Sequence, residues 1–330
     1  MRAAALITVP LLFGATPAAA ADSNLFNGKT VTYIVAVGPG GGYDTYGRLV
    51  ARFMQKHLPG SRFIVRNVPG AGHIVGANTL YASKPDGLTI GTFNTGLIYD
   101  QLIQREGVLF DLKKFSWIGK AATDTRALLI ANNSGFKNFE DLRNSKQPVK
   151  FAASGVGAAD YVETRIIADA LHINAQIIPN FTGNAGEMSM LRQEVAAKVS
   201  TVDSMEDFVK SGHGFWALSL TGNPSALLGV PRAMSYAKDD RMRRLLTLVE
   251  TLSEIGRLTA GPPGMPRNLL DAERRAYDAA VSDPEFLSEA KRLQLPISPA
   301  TGEAVGAKIS NALAQPPETV TFLKSAALAK

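Results

Sequence analysis

The chain has 330 residues, 45% of them hydrophobic, enough for about two domains with cores of their own. It contains no cysteine, which excludes disulfides, a thiol nucleophile and a thiolate metal site. Its 35 basic and 29 acidic side chains give a formal net charge of +6 with no Lys/Arg run. Such a spread excess slightly favours a small anion and gives no argument for nucleic acid.

The first stretch reads as an address. Arg2, the apolar run AAALITVPLLFGA and the small-residue stretch TPAAAADS match a secretory signal peptide, with A-x-A sites ending at Ala20 and Ala21. The apolar run is too short to cross a bilayer. The expectation is export with residues 1–21 removed, which takes Arg2 away and leaves +5.

VTYIVAV, from Val31, predicts a buried strand. Gly38-Pro39-Gly40-Gly41-Gly42 follows, and then Tyr46, Leu49, Val50, Phe53, Met54 and Leu58 recur at helical spacing. Asp44 stands in the first turn, where a carboxylate accepts backbone N–H bonds and complements the helix dipole. Strand, glycine loop and helix N-terminus together make an anion site. Four glycines are more than a turn needs, so something must approach the backbone closely. Two nucleotide motifs fail at this loop. A G-x-G-x-x-G from Gly38 needs glycine where Tyr43 stands, and a phosphate-binding loop from Gly42 meets Arg48-Leu49 instead of Lys-Ser/Thr.

The same device recurs along the chain. FIVRNV leads through Pro69-Gly70-Ala71-Gly72 into a helix carrying Ile74, Ala77 and Tyr81, and after the turn at Pro85–Gly87 the strand LTIGTF follows. Later, VKFAAS leads through Gly155-Val156-Gly157 into a helix with Val162, Ile166 and Ala170. AQIIPNF then leads through Thr182–Gly186 into EMSMLRQ and the strand AKVSTV. Gly41 and Gly70 lie 29 residues apart, and Gly155 and Gly183 lie 28 apart. Each half is therefore a β-α-β-α-β unit, with glycine loops at the carboxyl ends of strands, where open α/β sheets bind ligands. Ser116–Asn132 reads as an extended crossover into the second half and Glu254–Pro266 as the return, which gives a two-stranded hinge and a closing clamp. The following amphipathic stretch from Arg267 is helical and is expected to pack back on the first half.

GPGGGYD, NVPGAGHIVGA, KPDGLTIGTFNTG, AASGVGAADYVETRIIA and GPPGMPRNLL occur in this order. Together they resemble the periplasmic substrate-binding proteins of tripartite tricarboxylate transporters, the Bug family. The resemblance covers nearly the whole chain after the leader. It implies an α/β, two-domain periplasmic binding protein-like clamp of type II-like form, each domain a mixed, mainly parallel sheet flanked by helices. The implied domains are residues 22–122 with 256–330, and residues 123–255. The implied function is capture of a small organic carboxylate in the periplasm and delivery to a membrane permease with a large and a small subunit. The implied protein is a monomer with no cofactor, no metal and no catalytic residues. The family holds the ligand carboxylate largely by backbone groups of its glycine loops. By position, that implies Gly41, Gly42, Tyr43 and Asp44, then Ala71 and Gly72, then Asn94, Thr95 and Gly96 from the first domain. From the second it implies Ser154, Gly155, Gly157 and Ala158, with Gly183 and Asn184.

The chain departs from the family in three places. Tyr43 replaces a small hydroxyl residue, Glu194-Val195-Ala196 lacks the usual acid after its valine, and residues 200–255 match poorly. Other side chains carry weaker signals. His57, His73, His172 and His213 show no metal spacing, and only His73, opening the helix after Gly72, is placed to face a cleft. No G-x-S-x-G is present, because Ala152 stands where the first glycine would be. Tyr43 is the aromatic expected to touch ligand. Arg126 has two readings, a bidentate partner for a second carboxylate or a surface salt bridge. Two other functions fit less well: an exported α/β enzyme acting on an anionic substrate, and a periplasmic sensor for a receptor kinase.

Overall fold

The computed structural model describes residues 25–221 and 227–328. The expected leader lies outside the described residues. In chain order the strands are β1 (Thr30–Val35), β2 (Arg62–Asn67), β3 (Thr89–Thr92) and β4 (Ser116–Lys120). Next come β5 (Arg126–Ala131), β6 (Val149–Ala152), β7 (Ala175–Ile178), β8 (Ala197–Thr201) and β9 (Gly214–Ser219). Last are β10 (Leu258–Gly261) and β11 (Ala300–Thr301). Two sheets result, ordered β2-β1-β3-β10-β4-β11 and β7-β6-β8-β5-β9.

The two halves repeat one plan. β1 pairs in parallel with β2 and β3, and β6 pairs in parallel with β7 and β8. An antiparallel strand then closes each set, β10 beside β3 and β5 beside β8. Both sheets are mixed, and the antiparallel share is larger than the sequence implied. The physical reason is the crossing itself: strands that carry the chain between domains come back against the parallel set. The chain leaves the first sheet after β4, enters the second at β5, and returns at β10. Helices flank both sheets, so this is a two-domain α/β architecture.

Local chemistry explains the elements that frame the site. In the helix Gly42–His57, Tyr46, Leu49, Val50, Phe53 and Met54 are buried along one face. Asp44 lies in its first turn and Lys56 and His57 in its last, each complementing the dipole. β1 is buried along its inner length, while β2 alternates between exposed and half-buried residues, as an edge strand does. Helices Arg267–Ser282 and Pro284–Arg292 pack against Gly42–His57, and Phe286 meets Phe53 edge to face at 5.4 Å. The segment from Arg267 thus returns to the first half, as its amphipathic pattern predicts. The helix Pro317–Leu328 has no counterpart among the sequence expectations. It lies on Ala159–Leu171 and Asp240–Ser253, with Leu323 fully buried and Arg241 stacked 4.1 Å from the Phe322 ring centroid.

Candidate functional site

The carboxyl ends of the two parallel sets face each other, and their glycine loops touch. Gly40 and Gly41 have φ of +82° and +78°, the left-handed region that glycine enters without strain. Gly42 has ordinary helical geometry, but a Cβ there would lie 2.2 Å from Ser204 Oγ and 2.8 Å from Arg257 Nη2. Opposite, a Cβ on Gly183 would lie 2.9 Å from the Pro39 carbonyl oxygen. The second pair of loops meets in the same way, with the Cβ position of Gly72 only 3.0 Å from the Val156 carbonyl oxygen. At Gly96 the corresponding distance to Ala159 N is 2.4 Å. The close approach that the glycines signal is therefore made, in large part, by backbone of the other domain.

Each first loop is tied by an acid in the helix that follows it. Gly40 N donates to Asp44 Oδ2 at 3.0 Å. In the second domain Ser154 N and Oγ donate to Asp160 Oδ2 at 2.8 and 2.7 Å. Asp44 also accepts from Arg48 Nε and Asn67 Nδ2. Its oxygens are thus engaged by its own domain.

Between the loops is a cavity of about 80 Å³. A water needs some 10–15 Å³ by this measure, so the space suits roughly half a dozen water-sized groups. Of the residues expected from the sequence, Gly41, Gly42, Tyr43, Asn94, Ser154 and Gly183 line it. Ala71 and Gly72 line an adjoining groove of about 310 Å³, which shares Val37, His73, Ser154 and Gly183 with the cavity. Asp44, Thr95, Gly96, Gly155, Gly157, Ala158 and Asn184 line neither. Gly157, at φ +82°, packs on a pair beneath it, since a Cβ there would collide with Arg105 Nη1 and Asp100 Oδ1.

The cavity's charged lining comes largely from residues that no sequence pattern singles out. Asp160, Glu187, Lys198 and Arg257 all reach it, as do the hydroxyls of Ser200, Thr201 and Ser204. One signal was available. Lys198 interrupts an otherwise small and β-branched strand, Ala197–Thr201, that is buried throughout, and cations are rarely fully buried unless paired.

Tyr43 lines the cavity, but its hydroxyl is committed, donating to Asp124 Oδ2 at 2.8 Å. The Arg257 guanidinium stacks on its ring at 4.2 Å, and the His73 ring lies 6.0 Å away. Burial pushes the His73 imidazole down to about 4, so it is neutral at pH 7. His73 sits at φ +82°, unusual for a side chain of its size, with Nδ1 buried and unpartnered. Arg126 is no surface salt bridge. It is buried and pairs with Glu163 Oε2 through Nε at 2.7 Å and through Nη2, while burial lifts Glu163 to about 7. Ser154 donates to Asp160, and Ser204 is held by Thr201 and Arg257. No hydroxyl of the cavity is hydrogen-bonded to His73 among the described residues; Ser154 Oγ instead donates to the Asp160 carboxylate.

Three comparisons bear on this geometry. A family model described as "Tripartite tricarboxylate transporter family receptor" matches residues 47–286. A UPF0065 protein from the tcbD-tcbE intergenic region of Pseudomonas sp. (strain P51) is 24% identical over 282 residues, 81% of this chain and 78% of its own. Among solved structures, the periplasmic binding protein BugD superimposes with a TM-score of 0.74 at 22% identity, covering 90% of this chain and 97% of its own. MatC from Rhodopseudomonas palustris, with bound malate, superimposes with a TM-score of 0.71 at 17% identity, covering 90% and 98%. At these identities the structures show a shared fold.

Proposed function

The chain belongs to the tripartite tricarboxylate transporter receptor family, and from that premise we propose that it is an exported, monomeric periplasmic receptor. It captures a small organic carboxylate in the cavity between its domains and presents it to the large and small subunits of a membrane permease. The domains we assign are residues 22–122 with 256–330, and 123–255, hinged at the two crossings, with the helix Pro317–Leu328 reaching across from the first onto the second. One observation carries the reading. A single cavity is lined from one side by the N-terminus of a 16-residue helix, and from the other by Ser154 and the end of β8. Helix N-termini and unpaired backbone N–H groups favour an anion. The malate held by MatC is in keeping with a ligand of this class.

A thermal-shift screen of carboxylates tests the reading, with amines and neutral sugars as controls. A ligand at 100 times its dissociation constant stabilises the folded state by about 2.7 kcal/mol. For a chain of this size that is a rise in Tm of roughly 4 °C. Carboxylates should give such shifts and the controls none. Shifts from sugars or amines alone would sink the anion reading.

The touching loops supply a second test. Gly96 has φ −56°, which alanine adopts freely. Its Cβ would nonetheless lie 2.4 Å from Ala159 N across the interdomain contact. Gly96→Ala should hold the clamp ajar and weaken carboxylate binding about tenfold or more, a cost of at least ~1.4 kcal/mol. Titration calorimetry reads this directly, and an unchanged Kd removes this contact from the closing step.

A further inference from the structure

Among the described residues, four lysine or arginine side chains are buried: Lys120, Arg126, Lys198 and Arg257. Three have partners in the chain. Lys120 Nζ donates to the Glu254 carbonyl and to Thr123 Oγ1. Arg126 holds Glu163, and Arg257 holds Asp203 and lies beside Asp124. Lys198, only 6% exposed, makes no hydrogen bond or ion pair among the described residues. A buried cation without a counter-charge is costly, and such groups are otherwise found paired or bound to a ligand.

The position of Lys198 says where its partner belongs. It lies on β8 in register with Ala152, the last residue of β6, and so at the carboxyl edge of the parallel set. Its side chain lines the cavity, and Nζ passes 3.1 Å from where a Cβ on Gly186 would be. The other charged groups lining the cavity are accounted for, with one exception. Asp160 is held by Ser154, Arg126 by Glu163, and Arg257 by its acids. The exception is Glu187, whose Oε2 is buried and unpartnered and which forms no ion pair with Lys198.

We propose that Lys198 is the counter-charge for a second acid group on the ligand, so that the receptor selects dicarboxylates over monocarboxylates of the same skeleton. This rests on the carboxylate reading above. The first carboxylate lies at the glycine loops, and the second is met by the Lys198 ammonium. Glu187, with its free acceptor, stands ready for a hydroxyl or other donor between them, and disfavours a bare apolar chain at that point.

The test measures pairs of acids by calorimetry: malate with 3-hydroxybutyrate, malonate with propionate, succinate with butyrate, glutarate with valerate, adipate with hexanoate, and terephthalate with p-toluate. The wild-type protein should bind the dicarboxylate at least tenfold more tightly in the pair that fits best. Lys198→Met should cut dicarboxylate affinity by tenfold or more and collapse that ratio, whereas Lys198→Arg should keep a preference for two acids. A purely structural lysine would lower both members of a pair together and leave the ratio intact, which overturns the proposal. So would recovery of the ratio in the double variant K198M/E187Q, since that would mean Lys198 serves only to balance Glu187. Equal binding of both members by the wild type refutes this inference and leaves the carboxylate reading standing. Binding of neither, in every pair, removes both.

Discussion

Arg257→Met should destabilise the protein by about 3–5 kcal/mol at pH 8, the usual cost of removing one partner from a buried ion pair. Arg257 is 3% exposed and stands at the return crossing, directly before β10. Its Nη2 donates to Thr201 Oγ1, Asp203 Oδ2 and Ser204 Oγ at 3.0, 2.8 and 3.1 Å. Its Nε lies 3.1 Å from Asp124 Oδ1, close enough for an ion pair but not aligned as a hydrogen bond. Tyr43 and Tyr46 of the first domain stack on the same guanidinium, at 4.2 and 4.8 Å. One side chain thus ties the outgoing crossing, the return crossing and both domains together. It does so at φ +54°, a strained backbone for arginine that its surroundings must enforce.

Without Arg257, Asp124 and Asp203 are left buried with their charge. Burial already holds Asp124 above the usual carboxylate range, and Arg257 is the largest influence pulling it back down. In the variant the folded state should therefore bind protons more tightly than the unfolded one. Stability then falls as pH rises, so the defect is largest at pH 8 and shrinks toward pH 5 as Asp124 protonates. Urea denaturation at the two pH values measures this, and the double variant R257M/D124N should recover part of the loss. A variant within about 1 kcal/mol of wild type at pH 8 would show that this cluster does not hold the hinge.

The parts of this molecule that are local in sequence were legible in it, and the parts that need a partner from elsewhere were not. The strand–glycine–helix units and their 29- and 28-residue spacings became two sheets with the same parallel core. That translation works because period and turn chemistry are short-range. What the glycines face is long-range. Gly41 opposes Gly183, and Gly72 opposes Val156, because the hinge brings the loops together; one chain segment read alone cannot say whether backbone or ligand fills the gap. Tyr43 stands in a glycine run that marks it for a cleft, yet its hydroxyl belongs to Asp124, 81 residues away. Asp160, Lys198 and Arg257 escape a sequence reading for the same reason. Only Lys198 left a trace, as a charge in a strand otherwise built for burial. The closing helix Pro317–Leu328 carries ordinary amphipathic residues, and its seat on the helix Ala159–Leu171 is a tertiary choice that periodicity does not encode.

Glu273→Gln should raise stability by a few kcal/mol at pH 9 and leave it almost unchanged near pH 5. Glu273 lies in the helix Arg267–Ser282, is fully buried, and neither carboxyl oxygen has a hydrogen-bond partner. Burial alone pushes its pKa up to about 8, from 4.5. The folded state therefore keeps the acid protonated at neutral pH, while the unfolded chain ionises it. Below pH 4.5 both states hold the proton and the site costs little. As pH climbs toward 8 the unfolded state gains by releasing it, and each pH unit crossed removes up to ~1.4 kcal/mol of stability. Above pH 8 the folded state must ionise a carboxyl with no partner, and the loss levels off. Asp100 and Glu163, both lifted by burial to about 7, bend the curve in the same direction. His73, lowered by burial to about 4, bends it the other way at acid pH. The difference between variant and wild type isolates Glu273 from all three. Denaturation midpoints taken from pH 5 to 9 should diverge steadily, and Glu273→Met, which removes the polar group altogether, should diverge in the same direction. Parallel curves would mean that the carboxylate is already charged and satisfied in the folded protein.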